Sequence, residues 1–312
     1  MRKFEMNIQL FATPVFNPDA VTIMSSRTGA VPNSIEDEIL TDIKHGSAFM
    51  QLAKAVPVTS PEHKFTYMTG VGAYWVDEAQ CIKTEKPGWT TVTLRSKKLG
   101  VIIPTTRETL NHSVTNFFEV LRPEIAEAFS KKIDAAAFAD VDNPFQWSIT
   151  KSATAAGHVI EETANKYDDL NDAMGAVEAS NYDPNGVASL RCQKRKYRST
   201  KDASGQPIFS DAMADLPATL LGQPTAFLHN AAFTVNEMAE CVGDWNQAVY
   251  GILRGIEYEV LTEATLTGIE ASDAPGMPLS LAERDMVALK ATMEVGMMVI
   301  NDDAFAVVKK VG

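Results

Sequence analysis

The run from Thr90 to Pro104, TTVTLRSKKLGVIIP, limits what this chain can fold into more than any other segment. It is rich in Thr, Val and Ile, lacks a helix cap and has no proline before its last residue. That composition favours a β-strand, and at ~3.3 Å per residue a straight strand of this length reaches roughly 45 Å. The antiparallel partner is expected in Lys64–Val76, with the turn supplied by Lys83–Gly88. Beside it, GAYWVDEAQ sets Tyr74, Trp75 and Val76 directly against Asp77 and Glu78. Such a ribbon is too long for a strand of a small sheet, so the sequence raises the question of what covers it.

The flanking segments suggest a platform. Residues 1 to about 34 hold Pro14, Pro18 and Pro32 with little periodicity, and read as an extended arm. Ser34 with Asp37 forms a Ser-x-x-acid cap for a helix carrying Ile35, Ile39, Leu40 and Ile43, ended or divided at Gly46. After the ribbon, Asn116 and Glu119 cap a long helix whose inward face is Phe118, Leu121, Ile125, Phe129 and Ile133. Pro123 within it predicts a kink or a handover between two helices. A short helix with Leu170, Met174 and Val177 inward, a strand at Val187–Leu190 and a buried strand in LLGQPTAFL follow. From Gly255 the pattern alternates: Ile256, Tyr258 and Val260 are expected on one side, Glu257, Glu259 and Glu263 on the other. DMVALKATMEVGMMVI reads as a second long strand and AFAVVKK as a last short one. The fold class is α+β, with a helix laid across long antiparallel strands and a compact second domain inserted at residues 165–250.

The 312 residues, 45% apolar, suffice for a core and suggest two domains. The net charge of −12 argues against a surface built to grip nucleic acid or anionic lipid, which needs clustered Lys and Arg. Cys81, Cys192 and Cys241 lie far apart in no zinc or redox spacing, as expected for free thiols in a reducing compartment. No apolar run is long enough to cross a membrane, and Glu5, Asn7 and Gln9 interrupt the apolar start of the chain as a signal peptide would not. A cytosolic site of synthesis is expected.

Enzymatic chemistry finds little foothold. His45, His63, His112, His158 and His229 match no ligand pattern and read as incidental. Cys192 or Cys241 with a distant histidine would make a nucleophilic pair in a cysteine-dependent hydrolase, but nothing local supports one. No GxGxxG or GxxxxGK[ST] is present, so no nucleotide cofactor is expected. Asn301–Asp303 suits a turn better than a metal site. Asp77 and Glu78, adjacent on an expected strand, would face opposite ways and fail as an acid/base pair. The basic run Arg191, Lys194, Arg195, Lys196, Arg198 and Lys201 reads best as a solvated helix. A small nucleic-acid patch and a contact with carboxylates of another subunit stay open as readings of it.

Taken in order, the segments resemble a known family. GAYWVDEAQ, TLRSKKLGVIIPTTRETLNHS, FFEVLRPEIAEAFSKKIDAAAF with NPF, GQPIF, LLGQP, GDWNQAVYGI and DMVALKATMEVGMMVINDDAFAVV are similar to successive segments of tailed-phage major capsid proteins, nearest to those of temperate siphophages of staphylococci and related Firmicutes. The resemblance implies the Hong-Kong-97-type fold. It assigns 1–12 to a removable extension, 13–34 to an N-terminal arm, 35–65 and 106–164 to a peripheral domain with a spine helix, 66–105 to an extended loop, 165–250 to an axial domain and 251–312 to return strands of the peripheral domain.

The implied function is a self-assembling virion shell of pentamers and hexamers around double-stranded DNA, with no catalysis, no cofactor and no metal. Tyr74, Trp75, Asp77, Glu78, Lys83, Lys86 and Trp89 would contact a neighbouring subunit. MNIQLFATP resembles a processing motif cut by a host cysteine protease, which places cleavage between Ala12 and Thr13. Assembly in the host cytoplasm, a separate scaffolding protein, a portal protein and non-specific proximity to DNA complete the implied partners. No covalent cross-link is expected, because neither member of the lysine–asparagine pair used by some relatives finds a match. An encapsulin-like compartment of the same fold and a DNA-binding module using the basic run are the alternatives.

Overall fold

A computed structural model of the chain describes residues 43, 46–108, 117–140, 142–201, 204–206, 208, 219–229, 238–271 and 274–310. The expected arm, the helix start at Ser34 and the Asn116 cap lie outside these residues.

Ser47, just after Gly46, opens helix α1 (Ala48–Leu52) by accepting the Met50 N–H at 3.2 Å. Strands β1 (Lys54–Ala55), β2 (Glu62–Thr69) and β3 (Gly88–Thr106) follow. β3 is the long strand expected, but its antiparallel partner is shorter than predicted. Pairing runs from Glu62 opposite Arg95 to Thr69 opposite Gly88 and stops there. Residues 70–87 contain no strand. Gly70 and Gly72 weaken extended backbone, and the positive φ of Ala79, 66°, belongs to a turn rather than a ladder.

Helix α2 (Phe117–Asp134) continues through Pro123 and passes into a π-helical turn, Ala135–Ala139, closed by Asp140 in the left-handed region. Ile125, Phe129 and Ile133 are buried as the spacing required, and Leu121 is half-buried. Phe118 is helical, but its side chain lies outside what is described. Helix α3 (Ile149–Ala156) is capped by Ser148 and ends on Gly157; β4 (Val159–Glu161) leads to α4 (Lys166–Ala179), capped by Asn165. β5 (Gly186–Leu190) is buried throughout and runs through a 3₁₀ turn into α5 (Lys194–Ser199).

LLGQPTAFL is a hairpin and not one strand: β6 (Thr219–Leu220) and β7 (Gln223–Leu228) pair across Leu221 and Gly222. Both turn residues have positive φ, the geometry that suits the twist of a two-residue hairpin. β8 (Glu240–Gly243) and β9 (Ala248–Leu261) come next. In β9 Ile256 is buried, yet Val260, expected beside it, is 56% exposed. β10 (Thr265–Ala271) and β11 (Ala274–Ser280) form a two-stranded sheet that the sequence reading missed. Its Pro278 sits at a register shift opposite Glu270, where an edge strand tolerates a missing donor. β12 (Met286–Val299) and β13 (Phe305–Lys309) end the chain.

Two units are separable. The smaller takes Leu99–Ile125 and Gly255–Met293, and the larger Thr41–Lys98, Ala126–Arg254 and Glu294–Gly312. In the smaller, Leu279, Leu281, Met286 and Ala288 form a core with Leu261, Leu266 and Ile269 against it. One sheet has the order β1-β9-β12-β3-β2. The larger unit contains a second, β4-β13-β8-β5-β7-β6, with β13 parallel to β4 and antiparallel to β8. The last strand therefore joins the sheet of the inserted portion and not the return strands. α4 lies over β4, β13 and β8, and its Leu170, Ala173 and Val177 are fully buried with Val187, Val242 and Val308. Each such large aliphatic contributes about 1.5–3 kcal/mol. Close packing near β8 requires Gly243, where a Cβ would stand 2.6 Å from the Ala304 carbonyl oxygen and overlap the Phe305 ring.

Candidate functional site

The site is the end of the ribbon. Beyond Thr69 and Gly88, every described side chain from Gly70 to Lys86 is exposed. Trp75 is 104% exposed, Ile82 80%, Trp89 65% and Tyr74 50%. Large apolar groups this open, gathered on one segment, form an exposed apolar patch of the kind found at protein–protein contacts. The segment has internal order: the Gly72 N–H donates to the Glu85 carboxylate at 2.6 Å, and the Lys83 ammonium stands 5.0 Å over the Tyr74 ring. The Gln80 N–H donates to the Asp77 carbonyl at 3.1 Å, making a turn at Asp77 and Glu78. Those two residues are not on a strand, so the opposite-faces argument does not apply to them; both are exposed beside the aromatics. Lys86 is exposed too. All seven residues expected at a contact thus fall on this tip or its root. Ile82 was overlooked because it stands alone among polar residues, with no periodicity to mark it.

The other candidates separate from it. Ala12 and Thr13 lie outside the described residues. Cys81 is exposed on the tip and Cys192 at the start of the basic run, while Cys241 is fully buried in β8 and its thiol is pushed far up by burial. A nucleophile needs the thiolate, so Cys241 is unsuited to that role. His158 bridges the Phe305 carbonyl at 3.2 Å and the Ser180 hydroxyl at 3.3 Å, a structural post. Asn301 accepts the Asp303 N–H at 3.3 Å and so makes the expected turn. Among the described residues no group of His, Cys, Asp or Glu is placed to hold a metal, and no helix is long and apolar enough to cross a membrane.

Two buried polar sites escaped the sequence reading. Lys166 is 1% exposed, with Glu162 at 2.5 Å, Glu240 at 2.9 Å and Asp169 at 3.5 Å. Burial opposes charge on Lys166, but Glu240 and Glu162 outweigh it and raise its pKa; burial lifts Glu240. The i,i+4 and i,i+3 spacing of Glu162, Lys166 and Asp169 was the visible signal; Glu240 gave none. The second is Asp134 at the end of α2, which accepts from the Ser47 hydroxyl at 2.7 Å, the Ala48 N–H at 3.1 Å and the Phe49 N–H at 3.2 Å. Burial nevertheless raises its pKa to about 6.

The basic run is helical, as expected. Arg191, Lys194, Arg195, Lys196 and Arg198 are exposed, Tyr197 is buried with its hydroxyl 2.8 Å from that of Ser189, and Lys196 reaches Glu162 at 2.6 Å.

Comparison with known proteins finds relatives along nearly the whole chain. The chain is 36% identical to the major capsid protein of Staphylococcus phage 80alpha, over 98% of this chain and 94% of that one. A solved chain from Microbacterium phage Oxtober96 superposes with a TM-score of 0.74 at 25% identity, covering 90% of this chain and 94% of that one. The capsid of a native GTA particle, computed with C5 symmetry, shares the fold at a TM-score of 0.62 and 18% identity, with 91% and 93% covered. The model of the phage capsid family matches residues 28–310. The chain belongs to the phage capsid family and is a major capsid protein of a tailed phage, with the Hong-Kong-97-type α+β fold.

Proposed function

We propose that copies of this chain close into pentamers and hexamers of an icosahedral shell around double-stranded DNA, with each ribbon tip laid over a neighbouring copy. The observation that carries this reading is the tip itself: Trp75 and Ile82 are held in solvent on a segment with its own polar clamp. Apolar surface of that kind gains free energy when another molecule covers it. Residues 66–105 act as the extended loop, and 13–34 as an arm after cleavage between Ala12 and Thr13 by a host cysteine protease. Residues 35–65, 106–164 and most of 251–312 form the peripheral domain around α2. Residues 165–250, with β13 added, form the axial domain. The role is geometric and non-catalytic. Many modest contacts per copy make the shell durable by avidity.

Assembly takes place in the host cytoplasm with a separate scaffolding protein and a portal protein. DNA is enclosed by proximity, since a chain of net charge −12 lets it slide without sticking. The test is expression of the full chain with its scaffolding partner, followed by electron microscopy. Wild type is expected to close shells. Replacing residues 70–87 by a two-residue turn is expected to leave a folded chain that closes none. Normal shells from the shortened chain would refute the reading.

A further inference from the structure

Opposite charges are segregated within the larger unit. α5 and the turn before it carry Arg191, Lys194, Arg195, Lys196 and Arg198 at the surface of a chain with net charge −12. α4 presents Asp168, Asp172 and Glu178 outward while its apolar residues face the sheet. Both helices pack on one hydrophobic cluster, but over different strands. α4 covers β4, β13 and β8. On α5, Lys194 stands 4.0 Å over the Phe227 ring of β7, and the Tyr197 hydroxyl meets Ser189 of β5. In the order β4-β13-β8-β5-β7-β6 these are opposite halves of the sheet. With strands ~4.8 Å apart, β13 and β7 are separated by ~14 Å. The acidic and basic patches therefore lie over different strands of the sheet, and Glu162, just before α4, joins the two helices by accepting from Lys196 of α5 at 2.6 Å.

A ring of identical subunits is built by a head-to-tail contact, which requires two different and complementary patches on each copy. We infer that the basic face of α5 docks on the acidic face of α4 in the next copy around each pentamer and hexamer, an inference that rests on the assembly proposed above. Nucleic acid fits the basic face less well. Lys196 is taken up by Glu162 and Lys194 by Phe227. The one aromatic of the run, Tyr197, is fully buried and offers no base a stacking surface. Rim charges arranged this way fix register and exclude wrong partners, because like charges brought face to face repel strongly.

The experiment reverses each face in the full chain: Arg195→Glu with Arg198→Glu, and Asp172→Lys with Glu178→Lys. Wild type must first close shells; if it does not, the assembly reading fails, and this inference with it. Where wild type assembles, each reversal alone is expected to raise the concentration needed for assembly by more than about tenfold. The four substitutions together are expected to restore it. Mixing the two reversed chains is expected to yield hexamers without pentamers, since alternation closes only an even-membered ring. Assembly of either reversed chain at the wild-type concentration overturns the inference and leaves the assembly reading intact. Normal shells that merely hold less DNA overturn it in favour of a nucleic-acid contact. Should a reversal fail to fold, Arg195→Gln and Asp172→Asn carry the test: added salt is expected to weaken wild-type assembly more than theirs, and an equal response overturns the inference.

Discussion

Replacing Trp75 by serine isolates the tip's contribution to assembly. The side chain is 104% exposed in the subunit, so the folded chain has almost nothing to lose, and a stability change within about 0.5 kcal/mol is expected. A tryptophan covered on all sides buries on the order of 200 Å², which at ~25 cal/mol/Å² is about 5 kcal/mol. A neighbour laid against one face of the ring hides about half of that, or about 2.5 kcal/mol, equivalent to about 70-fold in an association constant. Shell formation followed by light scattering against protein concentration is expected to shift upward by that order, while the melting temperature of the unassembled chain stays put. Trp89→Ser should divide differently. Trp89 is 65% exposed and stands opposite Met68 in the ribbon, so part of its loss should appear as subunit stability. Assembly of Trp75→Ser at the wild-type concentration would refute the reasoning, as would a melting temperature falling in step with assembly.

Three further outcomes are expected. Asp134 has its pKa raised to about 6 by burial against an ordinary 3.8, so the folded state holds a proton that the unfolded chain releases. The associated stability, about 3 kcal/mol, is complete below the unfolded value and lost as pH rises through about 6; unassembled wild type should melt higher at pH 5 than at pH 7, and Asp134→Asn should flatten that slope. Lys166→Met strips the cation from Glu162, Asp169 and Glu240, all within 3.5 Å of it; chemical denaturation should show a loss of about 3–5 kcal/mol, partly recovered by adding Glu240→Leu. Protein from assembled heads is expected to have an intact mass beginning at Thr13 and to run as monomers on denaturing gels, whereas an uncut mass or a ladder of bands would contradict the proposed processing and the absence of cross-links.

Local periodicity was enough to place the elements that fold against their own neighbours. Ile125, Phe129 and Ile133 read correctly because a helix repeats every few residues whatever its partner. β3 and β12 read correctly because β-branched and apolar residues fill long uninterrupted runs. Failure came where pairing is non-local or turn geometry decides. The strand Phe305–Lys309 has the same composition whether it joins one sheet or the other; its place beside β8 and β4 depends on residues distant in sequence. LLGQP looked continuous because leucine seldom takes positive φ, yet Leu221 does so beside Gly222. The β10–β11 hairpin hid behind its prolines and glycines, which a two-stranded sheet accommodates at its edges. At the site, the aromatics announced themselves, while the Gly72–Glu85 clamp, spanning the whole tip, did not.

A chain folded for itself alone would hide Trp75 and Ile82 and expose Lys166 and Glu240. This one does the reverse at both places. Buried ions cost desolvation free energy that their mutual attraction only partly offsets, so the Lys166 cluster adds little net stability to the larger unit. The apolar load of the ribbon is likewise kept out of the core. The bond from Gly72 to Glu85 and the stacking of Lys83 on Tyr74 shape the tip without covering it. Ordering a free loop at the moment of docking consumes part of the contact energy, and a tip already shaped loses less of it. In the assembly proposed above, each copy arrives with the tip's apolar surface already presented, and the free energy of covering it is released between subunits rather than within one.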